Sequence, residues 1–362
     1  MIHKGDTMSN DKILNNITEL KTIAGIDTLY YFCETNKAYP MLFEEISKAL
    51  FEQSELMEIR GVDIFTTELT ININDKPFNY LGKGEGYLWF VDTNALYKIG
   101  FKDHESNIKL HNIRVQLLSN GIYAVGIKEL ILYIDSLFEN VITGYKPITR
   151  ADLNSFVQLD LSFIDETMFS TRKRDMDIRK KLHSNIMQTI YIGKKPFLLR
   201  IYNKKDELEN THKEKLMKLY FKEYGFDYDK PIFNVEFELH RQFLRTYQID
   251  TVDDLLKNAV KLFGECIDAI RLVDNSTITQ TNRYRASTHP IWAKIKNDYT
   301  LDQFLQSGTL LEKLKRKQYA YEIEDFKKEF KSLAKRAIMY SLPVNTDLME
   351  AYYDEVKREI RR

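Results

Sequence analysis

The sequence predicts an α+β fold: a duplicated unit built on antiparallel sheet, followed by a helical C-terminal region. Three observations predict it. Short segments with period-two alternation, bounded by turn residues, recur through residues 26–245. The order strand, helix, strands is met twice, without the regular strand–helix alternation of a doubly wound parallel sheet. Beyond residue 250 the apolar spacing becomes helical and stays so.

A chain of 362 residues, 43% hydrophobic and 29% charged, is long enough for two or three folded subdomains and is expected to be soluble. The expected divisions are a flexible lead (1–25), a first α+β half (26–146), a second half (147–249) and the helical region (250–362). "MIHKGDTMSNDK" is polar and reads as a lead-in, not a signal peptide, with Met8 as an alternative start. No apolar run reaches the ~18 residues of a membrane span. Cys33 and Cys266 belong to no CxxC or Cys/His cluster, which argues against a zinc site and for a reducing, cytoplasmic setting.

In the first half, "IDTLYYFCE" is rich in β-branched and aromatic residues and predicts a strand. Leu42, Phe43, Ile46, Leu50 and Phe51 share a helical face. "GYLWFVD", "ALYKIGF" and "NIRVQLLSN" predict strands, and "GIKELILYIDSLFENV" closes the half as a helix. "GKGEG" (82–86) lacks the GK[ST] ending of a phosphate-binding loop and reads as a plain turn. In the second half, "ITRADLNSFVQLDL" alternates as a long strand and "RDMDIRKKLHSN" reads as a basic linker. "QTIYIG" and "FLLRIYNK" form a hairpin, "EKLMKLYFKEY" a helix, and "IFNVEFELHRQFL" a strand running into a helix. "TVDDLLKNAVKLFGECIDAIRLV" opens the helical region with a Thr cap and an acidic first turn. Trp292, after Pro290, reads as a core anchor.

The net charge is zero, so attraction to a polyanion must come from local segregation. Residues 171–205 supply it, with eleven Lys or Arg against Asp175 and Asp177. Alternation puts Arg150, Asp152 and Asn154 on one strand face, and Asn234, Glu236, Glu238 and His240 on another. On the hairpin it groups Thr189, Tyr191 and Gly193, and separately Arg200, Tyr202 and Lys204. Were these strands neighbours, carboxylates, tyrosines and cations would converge. A metal held by Asp and Glu could then polarise a phosphate, and a tyrosinate could attack it. Taken one at a time, each carboxylate reads equally as an ion-pair member and each tyrosine as packing.

Five segments, in order, resemble the replication initiation factor family of rolling-circle plasmids and filamentous phages, with related relaxases of conjugative elements. They are "LLSNGIYAVG", "ITRADLN", "TIYIGKKP…LLRIYNKKDE", "VEFELHRQFL" and "RYRASTHPIW", spanning roughly residues 113–292. The resemblance implies a duplicated, nuclease-like antiparallel core and a cytoplasmic DNA-nicking and joining endonuclease. Its tyrosine nucleophile would form a 5′-phosphotyrosyl link and free a 3′-hydroxyl, with a divalent metal (Mg²⁺ or Mn²⁺) holding the phosphate. It implies Tyr191 as nucleophile with Tyr202 in reserve, Asp152 and Glu236 as metal ligands assisted by Glu238, and Lys204 and Arg200 as catalytic cations. Asp160 shares the alternation phase of Asp152 farther along. Arg150, Arg172, Lys173, Arg174, Arg179, Lys180, Lys181, Lys194, Lys195 and Arg241 are the expected DNA contacts, with Arg150 and Arg241 alternatively holding the acids in place.

Implied partners are origin DNA, single-stranded or cruciform, and a second copy of the chain; no membrane is expected. Asn234 stands where the family often has Arg, Phe156 where it often has an acid, and His240 where Arg is common. These departures leave open a non-catalytic DNA-binding replication or copy-control factor on the same scaffold. A third reading is an interaction protein whose helical tail (301–362) recruits a helicase.

Overall fold

Eleven strands, all paired antiparallel, form one sheet with two wings that meet at its centre. The computed structural model describes residues 20–59, 69–171, 177–183, 186–211, 214–274, 277 and 283–306. The chain divides into units Met1–Leu310 and Leu311–Arg362. The second unit, with most of the expected C-terminal helices, lies outside the described residues, as do residues 1–19 of the expected lead.

The first wing holds β1 (Thr22–Cys33), α1 (Tyr39–Ile59), β2 (Thr70–Ile73), β3 (Lys76–Gly84), β4 (Tyr87–Asp92), β5 (Tyr97–Lys102), β6 (Ile113–Leu117), α2 (Ser119–Val125) and α3 (Ile127–Leu137). The second begins with β7 (Ile148–Val157), β8 (Phe169–Thr171), β9 (Ile178–His183), β10 (Ile186–Lys194) and β11 (Phe197–Asn203). It continues with α4 (Lys204–Thr211), α5 (Glu214–Glu223), β12 (Phe233–His240) and α6 (Arg241–Thr246). Then come α7 (Val252–Ala269), β13 (Ile270–Leu272), α8 (Pro290–Asp298) and α9 (Asp302–Gln306). Strand order is β2-β3-β4-β5-β6-β1-β7-β12-β11-β10-β9, and β8 with β13 forms a separate antiparallel pair. In each wing the first strand lies beside the last strand of the meander that follows it. The two first strands, β1 and β7, pair with each other and join the wings.

Alternation in the central strands divides the sheet. Leu153, Phe237, Leu199 and Ile192 lie on one cross-strand row and are fully buried. Phe237 meets Phe263 of α7 edge-on, with centroids 5.5 Å apart. Each such side chain contributes on the order of 1.5–3 kcal/mol by leaving water. Trp292 is buried as expected, and its indole N–H donates to the carbonyl of Ile270 at 3.0 Å. Thr251 and Asp254 form a reciprocal capping box at the start of α7, as the "TVDD" pattern predicts.

Several segments differ from expectation: Thr22–Gly25 of the expected lead belong to β1, and Ile270–Leu272, read as the end of a helix, form β13. "SNGIYAV", whose first two residues close the expected strand "NIRVQLLSN", is helix α2, ended at Gly126 with φ 98°. Part of the basic linker, Ile178–His183, is the edge strand β9. An edge strand keeps one side unpaired, and charged residues there discourage pairing with another chain. Lys180 and Lys181 therefore suit a strand as well as a linker.

Candidate active site

The opposite face of the central strands is polar. On it, Asn154, Glu236, Arg200, Tyr191 and Arg179 lie directly across from one another on β7, β12, β11, β10 and β9. The next row holds Phe156, Asn234, Tyr202, Thr189 and Lys181. Asp152 and Glu238 lie on the other side of the first row, and Arg150 and His240 beyond them. The strands carrying the expected residues are thus neighbours. Both hairpin tyrosines are on the same face of the sheet, because the register pairs Tyr191 with Arg200 and Thr189 with Tyr202. Gly193 permits this hairpin: its φ is 87°, and a Cβ there would sit 2.8 Å from the carbonyl oxygen of Phe197.

One hydrogen-bonded network spans the face. Tyr202 donates to Glu236 Oε2 at 2.9 Å and accepts from Asn234 Nδ2 at 2.9 Å. Asn234 also donates to Glu236 Oε2 at 3.1 Å and accepts from Asn154 at 3.1 Å. The Arg200 guanidinium donates to Glu236 Oε1 and, at 3.1 Å, to Asp152 Oδ2. Arg150 makes a two-pronged contact with Asp152 at 2.8 and 2.6 Å and reaches Glu238 at 3.1 Å. Glu238 is bonded to His240 at 2.6 Å.

Lys204, buried at the head of α4, lies 2.9 Å from Glu207, 3.8 Å from Asp27 and 3.5 Å from the Tyr202 hydroxyl. Tyr123 of α2 joins Asp27 to Asn154 at 3.1 and 3.3 Å.

Burial sets the proton affinities. Desolvation pushes Glu236 up to about 8, against the pull of Arg200. Desolvation also raises Asp152, although Arg150 and Arg200 oppose it. Burial works against the charge on Glu238 too, but His240, Arg150 and Arg200 together bring it below its ordinary value. Tyr202 is raised well above its ordinary value, first by burial and then by Glu236. Burial lowers and Asp27 and Glu207 raise Lys204, which ends above its ordinary value.

The three expected metal ligands converge, but on a guanidinium. Arg200 Nη2 is within 3.1 Å of Asp152 and 3.6 Å of Glu238, and it also contacts Glu236. Among the described residues no group of three or more His, Cys, Asp or Glu is placed to hold a metal ion. As arranged, these carboxylates fit arginine and not a metal.

Tyr191 is half-buried, with the Arg179 guanidinium 5.4 Å from its ring centre. It lies two strands from Glu236, with Arg200 between them, so their backbones are separated by about 10 Å. Phe156 packs edge-on to Phe221 and places its ring 5.7 Å from Lys204 Nζ, at one end of the polar face. Asn234 is the hub between Tyr202, Glu236 and Asn154.

The expected DNA contacts divide. Lys194 pairs with Asp177 at 3.1 Å, and Lys180 with Asp165 at 2.9 Å and with Glu166. Arg241 donates to the carbonyl of Ile148 at 2.6 Å and so ties α6 to β7. Lys181 and Lys195 are exposed. Asp160 accepts from the Ser162 amide in a turn, away from the network. Arg172, Lys173 and Arg174 lie outside the described residues.

Asp27 and Tyr123 are members that sequence reasoning misses. An acid inside the apolar run "IAGIDTLYYF" is a signal for Asp27, but a bulge between Ile26 and Thr28 sets it outside the alternation. Nothing in the sequence points to Tyr123.

No helix among the described residues is long and apolar enough to cross a membrane. No family model and no curated protein matches the chain. A solved structure of a rolling circle replication initiator protein from Geobacillus stearothermophilus is similar at TM-score 0.39 and 13% identity, over 77% of this chain and 96% of that one. A likeness of that size decides nothing about this chain.

Proposed function

We propose that the chain cuts and rejoins DNA through a tyrosine, as an initiator of rolling-circle replication or a relaxase does. The observation that carries this reading is the Tyr202 hydroxyl, 2.9 Å from a buried carboxylate that is itself held by an arginine. A nucleophile, a base in hydrogen-bond reach and a third group orienting the base are the parts of an activated nucleophile. We therefore assign the nucleophile to Tyr202, the reserve choice from sequence. Tyr191, on the neighbouring row, is assigned to strand positioning.

In the proposed step Glu236 takes the Tyr202 proton, and the phenolate oxygen attacks phosphorus. The bond from phosphorus to the 3′ oxygen breaks, leaving a 5′-phosphotyrosyl link and a 3′-oxygen that takes up a proton. Arg200 and Lys204 donate to the non-bridging oxygens, where charge develops. A base with an affinity near 8 is matched to work close to neutral pH. The carboxylate oxygens of Asp152, Glu236 and Glu238 are the donors that Mg²⁺ or Mn²⁺ prefers. Holding a metal would require Arg200 to withdraw, so no step is assigned to one.

A second reading has its own support. Asp152 and Glu238 are both engaged by Arg150 and Arg200, as in a purely structural ion network on a DNA-binding scaffold. One assay separates the two. Single-stranded oligonucleotides tiling the replicon's origin are incubated with the protein and Mg²⁺ or Mn²⁺, then run on a denaturing gel. The first reading expects a covalent adduct that is lost in Tyr202→Phe and kept in Tyr191→Phe. Loss in Tyr191→Phe alone moves the nucleophile there. Binding without any adduct favours the second reading.

A further inference from the structure

A second surface lies on the same polar side, over the first wing. The β3–β4 hairpin tip, with Glu85 at φ 52° and Gly86 at φ 82°, leans over the sheet. Its Glu85 contacts Arg114 on β6, although β4 and β5 lie between their strands. Beneath the tip is a groove of about 380 Å³, lined by Tyr30, Leu81, Lys83, Trp89, Lys98 and Arg114 among others. That volume is in the range of about 300–1,000 Å³ typical of small-ligand clefts and is too small for a duplex.

The groove has a preformed anion site and an aromatic wall. The Arg114 guanidinium lies 5.5 Å from the Trp89 ring centre and 5.9 Å from those of Phe32 and Tyr30. Its Nε is buried, with no hydrogen-bond partner among the described residues. Its ion-pair partner among those residues is Glu85, whose side chain is 70% exposed at the hairpin tip. A Cβ at Gly100 would meet the Trp89 ring at 3.2 Å, so glycine lets the indole rest directly on β5. Lys83 and Lys98 give the lining an excess of positive charge over Glu85.

The groove is also continuous with the candidate active site. Lys98, Gln116, Tyr30, Arg150 and His240 form one cross-strand row over β5, β6, β1, β7 and β12. Tyr30 is shared: Arg150 lies 5.2 Å from its ring on one side and Arg114 5.9 Å on the other.

We propose that this groove binds single-stranded DNA, with a phosphate replacing the Glu85 carboxylate on Arg114 and a base stacking on Trp89. Aromatic rings take the open faces of unpaired bases, and those faces are covered in a duplex. The carboxylate holds the guanidinium in place until a phosphate displaces it. The choice of DNA rests on the function proposed above; the anion site and the aromatic wall do not.

Tryptophan fluorescence tests it directly. The chain has two tryptophans, and Trp292 is buried with its N–H bonded to backbone, so quenching by a strand reports Trp89. Titration with oligo(dT) should quench the wild type, whereas Trp89→Phe should show no quench. Glu85→Gln, at an exposed turn where folding is not at risk, should bind about fivefold tighter as the competing charge is removed. Arg114→Gln should bind about tenfold weaker, with a salt slope shallower by about 0.7 for one lost phosphate contact. Duplex of the same sequence should not quench.

Unchanged fluorescence on binding, or unchanged affinity in Glu85→Gln, overturns the proposal. Adduct formation by the same protein preparations on the origin oligonucleotides separates the two failures. Nicking without Trp89 quenching removes the groove alone, and quenching without nicking removes the catalytic reading alone.

Discussion

Replacing Glu236 by Gln keeps the size of a side chain that is 1% exposed and removes its ionisation. The folded protein holds this carboxyl's proton up to about pH 8, against an ordinary value of 4.5. The native state therefore binds more protons than the unfolded state between those values. The stability Glu236 contributes is fully present below 4.5 and is lost as pH rises through about 8. At 1.36 kcal/mol per pKa unit, the loss is small at about pH 5.5 and amounts to several kcal/mol at about pH 8.5. The attraction of Arg200 is already contained in the raised value. The variant carries no such loss, so its stability relative to wild type should improve by about 3 kcal/mol between the two pH values. Urea unfolding of both proteins at both pH values measures it. Parallel pH dependence would show that Glu236 is ionised throughout, and the argument for a base poised near neutrality would fail.

Other outcomes follow from the same geometry. Adduct formation should rise about tenfold from about pH 7 to about pH 9, tracking ionisation of Glu236, in initial-rate measurements on the origin strand. A profile already flat at neutral pH excludes Glu236 as the base. In Gly121→Ala the new Cβ would overlap the carbonyl oxygen of Leu96, and α2 must move. A loss of about 1–3 kcal/mol is expected in urea unfolding, with weakened contact of Tyr123 to Asp27. Thr251→Ala removes one half of the capping box of α7 and should lower stability by about 1 kcal/mol without changing adduct yield.

The polar face is largely legible in the sequence because alternation is local. "TRADLN" and "VEFELH" each need only their own spacing to put Asp152 beside Asn154 and Glu236 beside Glu238 on one face. Register is not local, and it sets what each tyrosine faces. Tyr191 sits across from Arg200, whereas Tyr202 sits across from Asn234 and next to Glu236. Sequence reasoning makes Arg150 a phosphate contact or a brace for the acids, and Arg200 a catalytic cation. Both engage the carboxylates, because three acids buried within a few ångströms of each other must be neutralised. Asp27 and Lys204 approach to 3.8 Å from opposite wings of the sheet, and β1 reaches that contact through a bulge that alternation does not foresee. Helix α2 escapes the sequence reading because its apolar run, "GIYAV", is too short to show a period.

The two faces of the central strands make different demands on the fold. Leu153, Phe237, Leu199 and Ile192 already supply a buried apolar row against α7, and that side accounts for cohesion. The polar side runs the other way. Buried ion networks are often no more stable than well-packed apolar groups of the same volume, which can gain about 1–4 kcal/mol in their place. Stability thus gives no reason for Asp152, Glu236 and Glu238 to share one face with two arginines. The charge balance supplies one. Three carboxylates against two guanidiniums leave one negative charge in excess, and burial assigns the extra proton to Glu236. A carboxylate whose proton is labile near neutrality is then the one bonded to Tyr202, and Lys204 waits 3.5 Å from the same hydroxyl. A face built only to hold strands together has no need for that coincidence; the proposed transfer of a proton from Tyr202 does.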